Sequence, residues 1–183
     1  MLRSLAAILA VSLLTACGGG SPDAAESEAP PLSEVSKAPP PPSSTRTPGP
    51  AIKAACPLLP PSRLVSVLGA RKPVPNEDPG GPAARICRYV SASGGMTLIV
   101  ATEPAGGSAD QMAARVIQRY SGTLEKVPDL GDAAYYSNGQ GGQIMVVSRA
   151  EGPQMRTVTF MCRLPGEPRD KLVPLLRGVL ERI

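Results

Sequence analysis

The sequence predicts an α+β domain: an antiparallel β-sheet with helices packed on one face, in the order helix, two strands, helix, three strands, helix. Three observations predict it. Apolar runs come in neighbouring pairs joined by short glycine-rich turns, which reads as hairpins. Three other segments carry apolar residues at helical spacing. All of these fall between about Ala54 and Ile183, and roughly 130 residues is an ordinary size for one domain.

Cys56-Pro57-Leu58-Leu59-Pro60-Pro61 leads into the first helix, Ser62 to Leu68. Proline before it and Gly69 after it bracket the element, and Leu64, Val65 and Leu68 give it an apolar side. Arg71 to Ala84 holds Pro73, Pro75, Pro79 and Pro82 with Gly80 and Gly81, and reads as a loop. Arg85–Ser91 and Met96–Thr102 are strands joined by Ser93-Gly94-Gly95. Ser108-Ala109-Asp110-Gln111 is a capping box, in which the Ser and Gln side chains each satisfy the other residue's free backbone N–H. The helix it opens runs to about Tyr120, with Met112, Ala113, Val116, Ile117 and Tyr120 on one face.

Val127 to Asp132 is a turn, Ala133–Ser137 a strand, Asn138 to Gly142 a turn and Gln143–Arg149 a further strand. Met155–Leu164 is the longest strand. Val158, Phe160, Cys162 and Leu164 face one way, while Arg156, Thr159, Met161 and Arg163 serve the other side. Pro165-Gly166-Glu167-Pro168 breaks the chain before the last helix. Leu172, Val173, Leu176, Val179, Leu180 and Ile183 form its apolar stripe, Asp170 is its expected N-cap, and Pro174 falls near its first intrahelical bond.

Ahead of the domain the chain changes character twice. Met1 to Leu14 has one cation, Arg3, and an apolar run broken only by Ser12. That run is too short to span a bilayer, which takes about 20 residues. It matches the core of a secretory signal peptide, about 7–15 apolar residues behind a basic start. Gly18 to about Lys53 is rich in proline, serine, alanine and glycine, with the run Pro39 to Pro42. Such a segment buries too little apolar surface to offset ordering, and the proline run favours an extended polyproline II tether. The expected division is a signal peptide over 1–16, a tether over 17–53 and a single domain over 54–183.

The chain lacks histidine. That removes Ser-His and Cys-His catalytic pairs and the commonest zinc ligand. There is no Gly-x-Ser-x-Gly elbow, Ser-x-x-Lys, Walker loop or Cys-x-x-Cys. No catalytic residue, metal ligand set or cofactor is therefore expected. The net charge of +4 suits anionic headgroups or envelope polymers. With so few aromatic residues for base stacking, nucleic acid is not an expected partner.

Leu14-Thr15-Ala16-Cys17 resembles the lipobox of bacterial lipoproteins. The resemblance implies cleavage between Ala16 and Cys17, thioether lipidation of Cys17 and an acylated new N-terminus. It implies a protein held on the cell or outer membrane and facing the extracytoplasmic side. Further along, Cys56-Pro57-Leu58-Leu59, the helix end Leu68-Gly69, Cys87-Arg88-Tyr89 and the Leu130-Gly131-Asp132-Ala133-Ala134 turn resemble a bacterial lipoprotein domain family common in actinobacteria. That family has no settled activity. It implies a Cys56–Cys87 disulfide, which is chemically allowed outside the cytoplasm. Cys162, sharing a face with Val158 and Phe160, is then left as a buried small hydrophobe.

Other candidates have plainer readings. Asp129 and Asp132 suit turn chemistry better than a cation site, and Gly139 to Gly142 suits a hairpin tip. Arg115, Arg119, Arg156, Arg163, Arg169, Lys171, Arg177 and Arg182 read as a solvated face or an anionic-polymer surface. The functional expectation is a non-catalytic, lipid-anchored binding module for an envelope protein or polymer. The alternative is a carrier of a small apolar ligand held between sheet and helices.

Overall fold

A computed structural model describes residues 46–183, except 121, 140 and 165–168. The expected signal peptide, Cys17 and most of the expected tether lie outside the described residues.

Seven strands form one antiparallel sheet in the order β1-β2-β3-β7-β6-β5-β4. They are β1 (Val74–Asp78), β2 (Ala84–Val90), β3 (Met96–Pro104), β4 (Thr123–Lys126), β5 (Ala133–Gly139), β6 (Gly142–Glu151) and β7 (Gln154–Cys162). Among the described residues three α-helices accompany them: α1 (Pro61–Leu68), α2 (Ala109–Ile117) and α3 (Arg169–Leu180). A short 3-10 turn, Cys56–Leu58, precedes α1. The α+β class, the antiparallel pairing and both expected hairpins hold, as does the succession of helices and strands around them. No helix among the described residues is long and apolar enough to cross a membrane.

Two strands emerge that the expected order lacks: β1 where a loop is expected, and β4 in a stretch given no element. β1 carries Pro75, Asn76, Glu77 and Asp78, and every residue of β4 is exposed. Both lie at sheet edges, where a strand needs no apolar face and where proline and charge discourage pairing with another chain.

The helices do not share one face. α1 and α3 cover the face bearing Tyr89, Leu98, Val147, Val158 and Phe160. α2 covers the other, against Ala133, Ile144 and Val146. The reason is β6, whose Met145 and Val147 point to one side and Ile144 and Val146 to the other, all buried. A central strand apolar on both faces needs cover on both.

The helix details follow their caps. In α2 the capping box forms: Gln111 N–H donates to Ser108 Oγ (3.2 Å) and Ser108 N–H donates to Gln111 Oε1 (3.1 Å). α2 ends at Ile117, so Tyr120 lies beyond it and is exposed. α1 has Pro61 in its first turn and Gly69 at its C-cap with φ +68, a left-handed conformation that favours glycine. Leu64 is its buried residue, with Val67 and Leu68 packed beside it. Val65 points outward, being 100° around the helix from Leu64.

α3 starts at Arg169, so Asp170 is not the N-cap but a first-turn acid, favourably placed against the helix dipole. Pro174 sits inside the helix on its exposed side, two residues deeper than expected, leaving the Asp170 carbonyl without its usual helical donor. Leu172, Leu175, Leu176, Val179 and Leu180 are its buried stripe.

Candidate functional site

The site begins with a misplaced charge. Arg156 stands in the same every-second-residue row of β7 as Val158, Phe160 and Cys162, so it points to the α3 side and not to the outer one expected from sequence. It is 1% exposed. Directly across the β6–β7 pair stands Arg149, a like charge in register. Glu151 resolves the repulsion. Its Oε1 accepts from Arg149, and its Oε2 lies 3.1 Å from Arg156 Nη2. Glu151 is itself 1% exposed, so this is a buried ionic cluster of two cations and one anion.

The cluster joins three parts of the domain. Arg149 also donates to the carbonyls of Leu180 (2.8 Å) and Ile183 (2.7 Å) at the end of α3. On the other side the chain before the 3-10 turn crosses the sheet as a strap. Arg46 pairs with Asp132 (3.0 Å) and donates to the Ala150 carbonyl. Gly49 N–H donates to Glu151 Oε2 (3.0 Å), and Arg156 Nη2 donates to the Pro50 carbonyl (3.0 Å). Arg85 Nε donates to the Lys53 carbonyl (3.2 Å). The expected boundary at residue 54 is therefore too late: from Arg46 onward the chain is bonded to the domain. Gly49 is required by closeness, since a Cβ there would lie 2.7 Å from Arg156 Nη1 and 2.9 Å from Glu151 Oε2.

Arg156 keeps two donors in hand. Among the described residues its Nε and Nη1 are buried without a hydrogen-bond partner. Burial, the largest cause, and the repelling Arg149 lower its pKa against the pull of Glu151, which raises it. Beside it, between the strap and the end of the sheet, is a cavity of about 550 Å³. Ile52, Pro82 and Val100 give it an apolar wall, and Thr102, Gln154 and Arg156 line its polar side.

The other cysteines and acids are structural. Cys56 and Cys87 form a disulfide. Glu77, close to both sulfurs, accepts the N–H groups of Ala55 (2.6 Å) and Cys56 (2.7 Å). Two residues along β2, the Tyr89 hydroxyl donates to the buried Leu59 carbonyl (2.6 Å), and burial raises its pKa. Asp132 accepts from Ala150 N–H (2.8 Å) and from Arg46, so it ties the turn to β6 and to the strap. Gly139 and Gly142 face each other across the β5–β6 hairpin.

The supposed basic face is dispersed. Arg169 pairs with Glu125, Arg177 donates to the Asp129 carbonyl, Arg182 to the Leu58 carbonyl and Arg163 to the Gly141 carbonyl. Arg119 and Arg163 do meet at a second hollow of about 310 Å³ beside Tyr120.

Cys162 is the free cysteine among the described residues, buried with Sγ 3.7 Å from Gln143 Oε1. Burial pushes its thiol up to about 12 from 9.0, so at pH 8 it holds about a thousandfold less thiolate than an ordinary cysteine. Alkylation with iodoacetamide is expected to spare Cys162 in the native protein and to label it in denaturant. Rapid labelling of native protein at Cys162 contradicts that burial.

Comparison with known proteins gives little. No protein-family model and no curated protein matches the sequence. A crystal structure from Bacteroides thetaiotaomicron is similar at 15% identity and a TM-score of 0.33. The match covers 55% of this chain and 40% of that one, and a likeness this slight bears on neither the fold nor the site.

Sequence reasoning missed Arg149, Glu151, Arg156 and the strap. A signal was present: an arginine standing two residues before an alternating Val158, Phe160, Cys162 row occupies a core position.

Proposed function

We propose that this chain is a lipid-anchored protein of the cell envelope, attached through Cys17, whose domain on the extracytoplasmic side binds its target without transforming it. The observation that carries it is the strap. The segment leading back along the sequence toward Cys17 is bonded at Asp132, Glu151 and Arg156, beside a ready-made cavity. The lipobox-like Leu14-Thr15-Ala16-Cys17 supports the anchor, and the Cys56–Cys87 disulfide supports an oxidising compartment. A buried free thiol of raised pKa supports binding over nucleophilic chemistry. A second reading, a carrier of a small ligand, is favoured by the cavity, which lies between sheet and strap and not in the expected place between sheet and helices.

Expression in a bacterium that processes lipoproteins tests the anchor. The native chain is expected in the membrane fraction, incorporating labelled palmitate. Cys17→Ser is expected to take up no label and to lose its acyl anchorage. An unlabelled native chain rejects the anchor. In-cell crosslinking that captures no envelope component rejects a macromolecular partner.

A further inference from the structure

We propose that the cavity between the Pro48–Ile52 strap and the sheet is a binding site for a small carboxylate with an apolar body, one oxygen taking the unused Nη1 of Arg156 and the other the neighbouring Nη2 now bonded to the Pro50 carbonyl. The inference rests on the reading of the domain as a binding module and names its ligand class. Three observations converge on it. The guanidinium is buried with Nε and Nη1 unpaired, and a buried donor without an acceptor is costly. The Arg149–Glu151–Arg156 cluster carries two cations against one anion, so a second anion completes it. Ile52, Pro82 and Val100 offer apolar contact next to that charge. A cavity of about 550 Å³ falls within the usual size of small-ligand sites, which pair apolar walls with a few polar groups.

The strap stands in the way and sets the mode of entry. Arg156 is covered by Gly49 and Pro50, and its Nη2 is already bonded to the Pro50 carbonyl. A carboxylate is a stronger acceptor than a neutral carbonyl, by roughly a factor of two in bond strength. Ligand entry therefore displaces the strap sideways, exchanging one acceptor for a better one.

Isothermal titration of the full chain in nanodiscs, with empty discs as blank, tests this with hexanoate, its neutral isostere hexanamide and inorganic phosphate. Hexanoate is expected to bind about tenfold or more tighter than either comparison compound, as a charge-assisted bond plus apolar contact requires. Arg156→Gln is expected to abolish that preference. Because Arg156→Gln disturbs a buried cluster, Gln154→Glu provides a second test. Gln154 is exposed on the cavity wall, so the added like charge weakens hexanoate several-fold without touching the core, and added salt reduces the penalty.

Hexanoate binding no tighter than hexanamide overturns the anionic class. Phosphate binding as tightly as hexanoate overturns the apolar body. Full affinity in folded Arg156→Gln and in Gln154→Glu overturns the site. Failure of all three compounds to bind overturns the ligand proposal while leaving capture of an envelope partner, tested by crosslinking, untouched.

Discussion

Glu151→Gln is expected to destabilise the domain by about 3–5 kcal/mol, because it leaves two arginines facing each other in the interior with no anion between them. Arg149 and Arg156 are in register across β6 and β7, so their charges have no room to separate. The mutation keeps shape and volume, so the loss is electrostatic and not a cavity effect. The melting temperature should fall by on the order of 10 °C. The companion variant separates stability from specificity. Glu151→Leu combined with Arg156→Met removes the whole buried pair and leaves Arg149 on its carbonyls at Leu180 and Ile183. Replacing a complete buried ion pair by apolar groups is often near neutral. The double variant should therefore be distinctly more stable than Glu151→Gln alone. If both lose the same amount in urea unfolding, the cluster holds the strap by hydrogen bonding rather than by charge balance.

What the sequence conveyed and what it hid divide along physical lines. Hairpins and helix caps are local. Ser108 and Gln111 recognise each other within one turn, and Gly69 takes its left-handed place whatever lies elsewhere, so both were readable. Edge strands are not local in this sense. β1 and β4 have no apolar alternation because both are largely exposed, and pairing with their neighbours β2 and β5 makes them strands. The two-sided cover of the sheet was written in the near-continuous Ile144-Met145-Val146-Val147 run, which is the mark of a strand buried on both faces. The expectation of helices on one face left that run out of account, and α2 covers the second face.

The site was hidden for a different reason. Charged residues are rarely interior, so Arg156 read as part of a basic face and Glu151 carried no site reading. Their burial depends on a partner 102 residues away: the strap crosses the sheet only because Gly49 can approach the cluster. A glycine among prolines carries no sign of that contact. The Cys56-Pro57-Leu58-Leu59 and Cys87-Arg88-Tyr89 segments, by contrast, are two halves of one staple, since the disulfide and the Tyr89–Leu59 hydrogen bond tie them twice.

That staple gives the second large effect. Cys56→Ser combined with Cys87→Ser is expected to cost about 3–4 kcal/mol, from the entropy an unfolded chain regains when a loop of this length is opened. The two cysteines are 31 residues apart, and the loop between them contains all of α1 and β1. In the folded state the same segment keeps other ties. Glu77 holds the N–H groups of Ala55 and Cys56, and Tyr89 holds the Leu59 carbonyl. The reduced protein should therefore fold to the same structure while its denatured state becomes larger. That is measurable: the urea midpoint falls and the m-value rises, because unfolding now exposes more surface. A lower midpoint with an unchanged m-value would place the effect in the native state, as strain or lost docking of the 3-10 turn. A variant as stable as the native chain would mean that Glu77 and Tyr89 suffice, and that the disulfide matters only for keeping two thiols out of an oxidising environment.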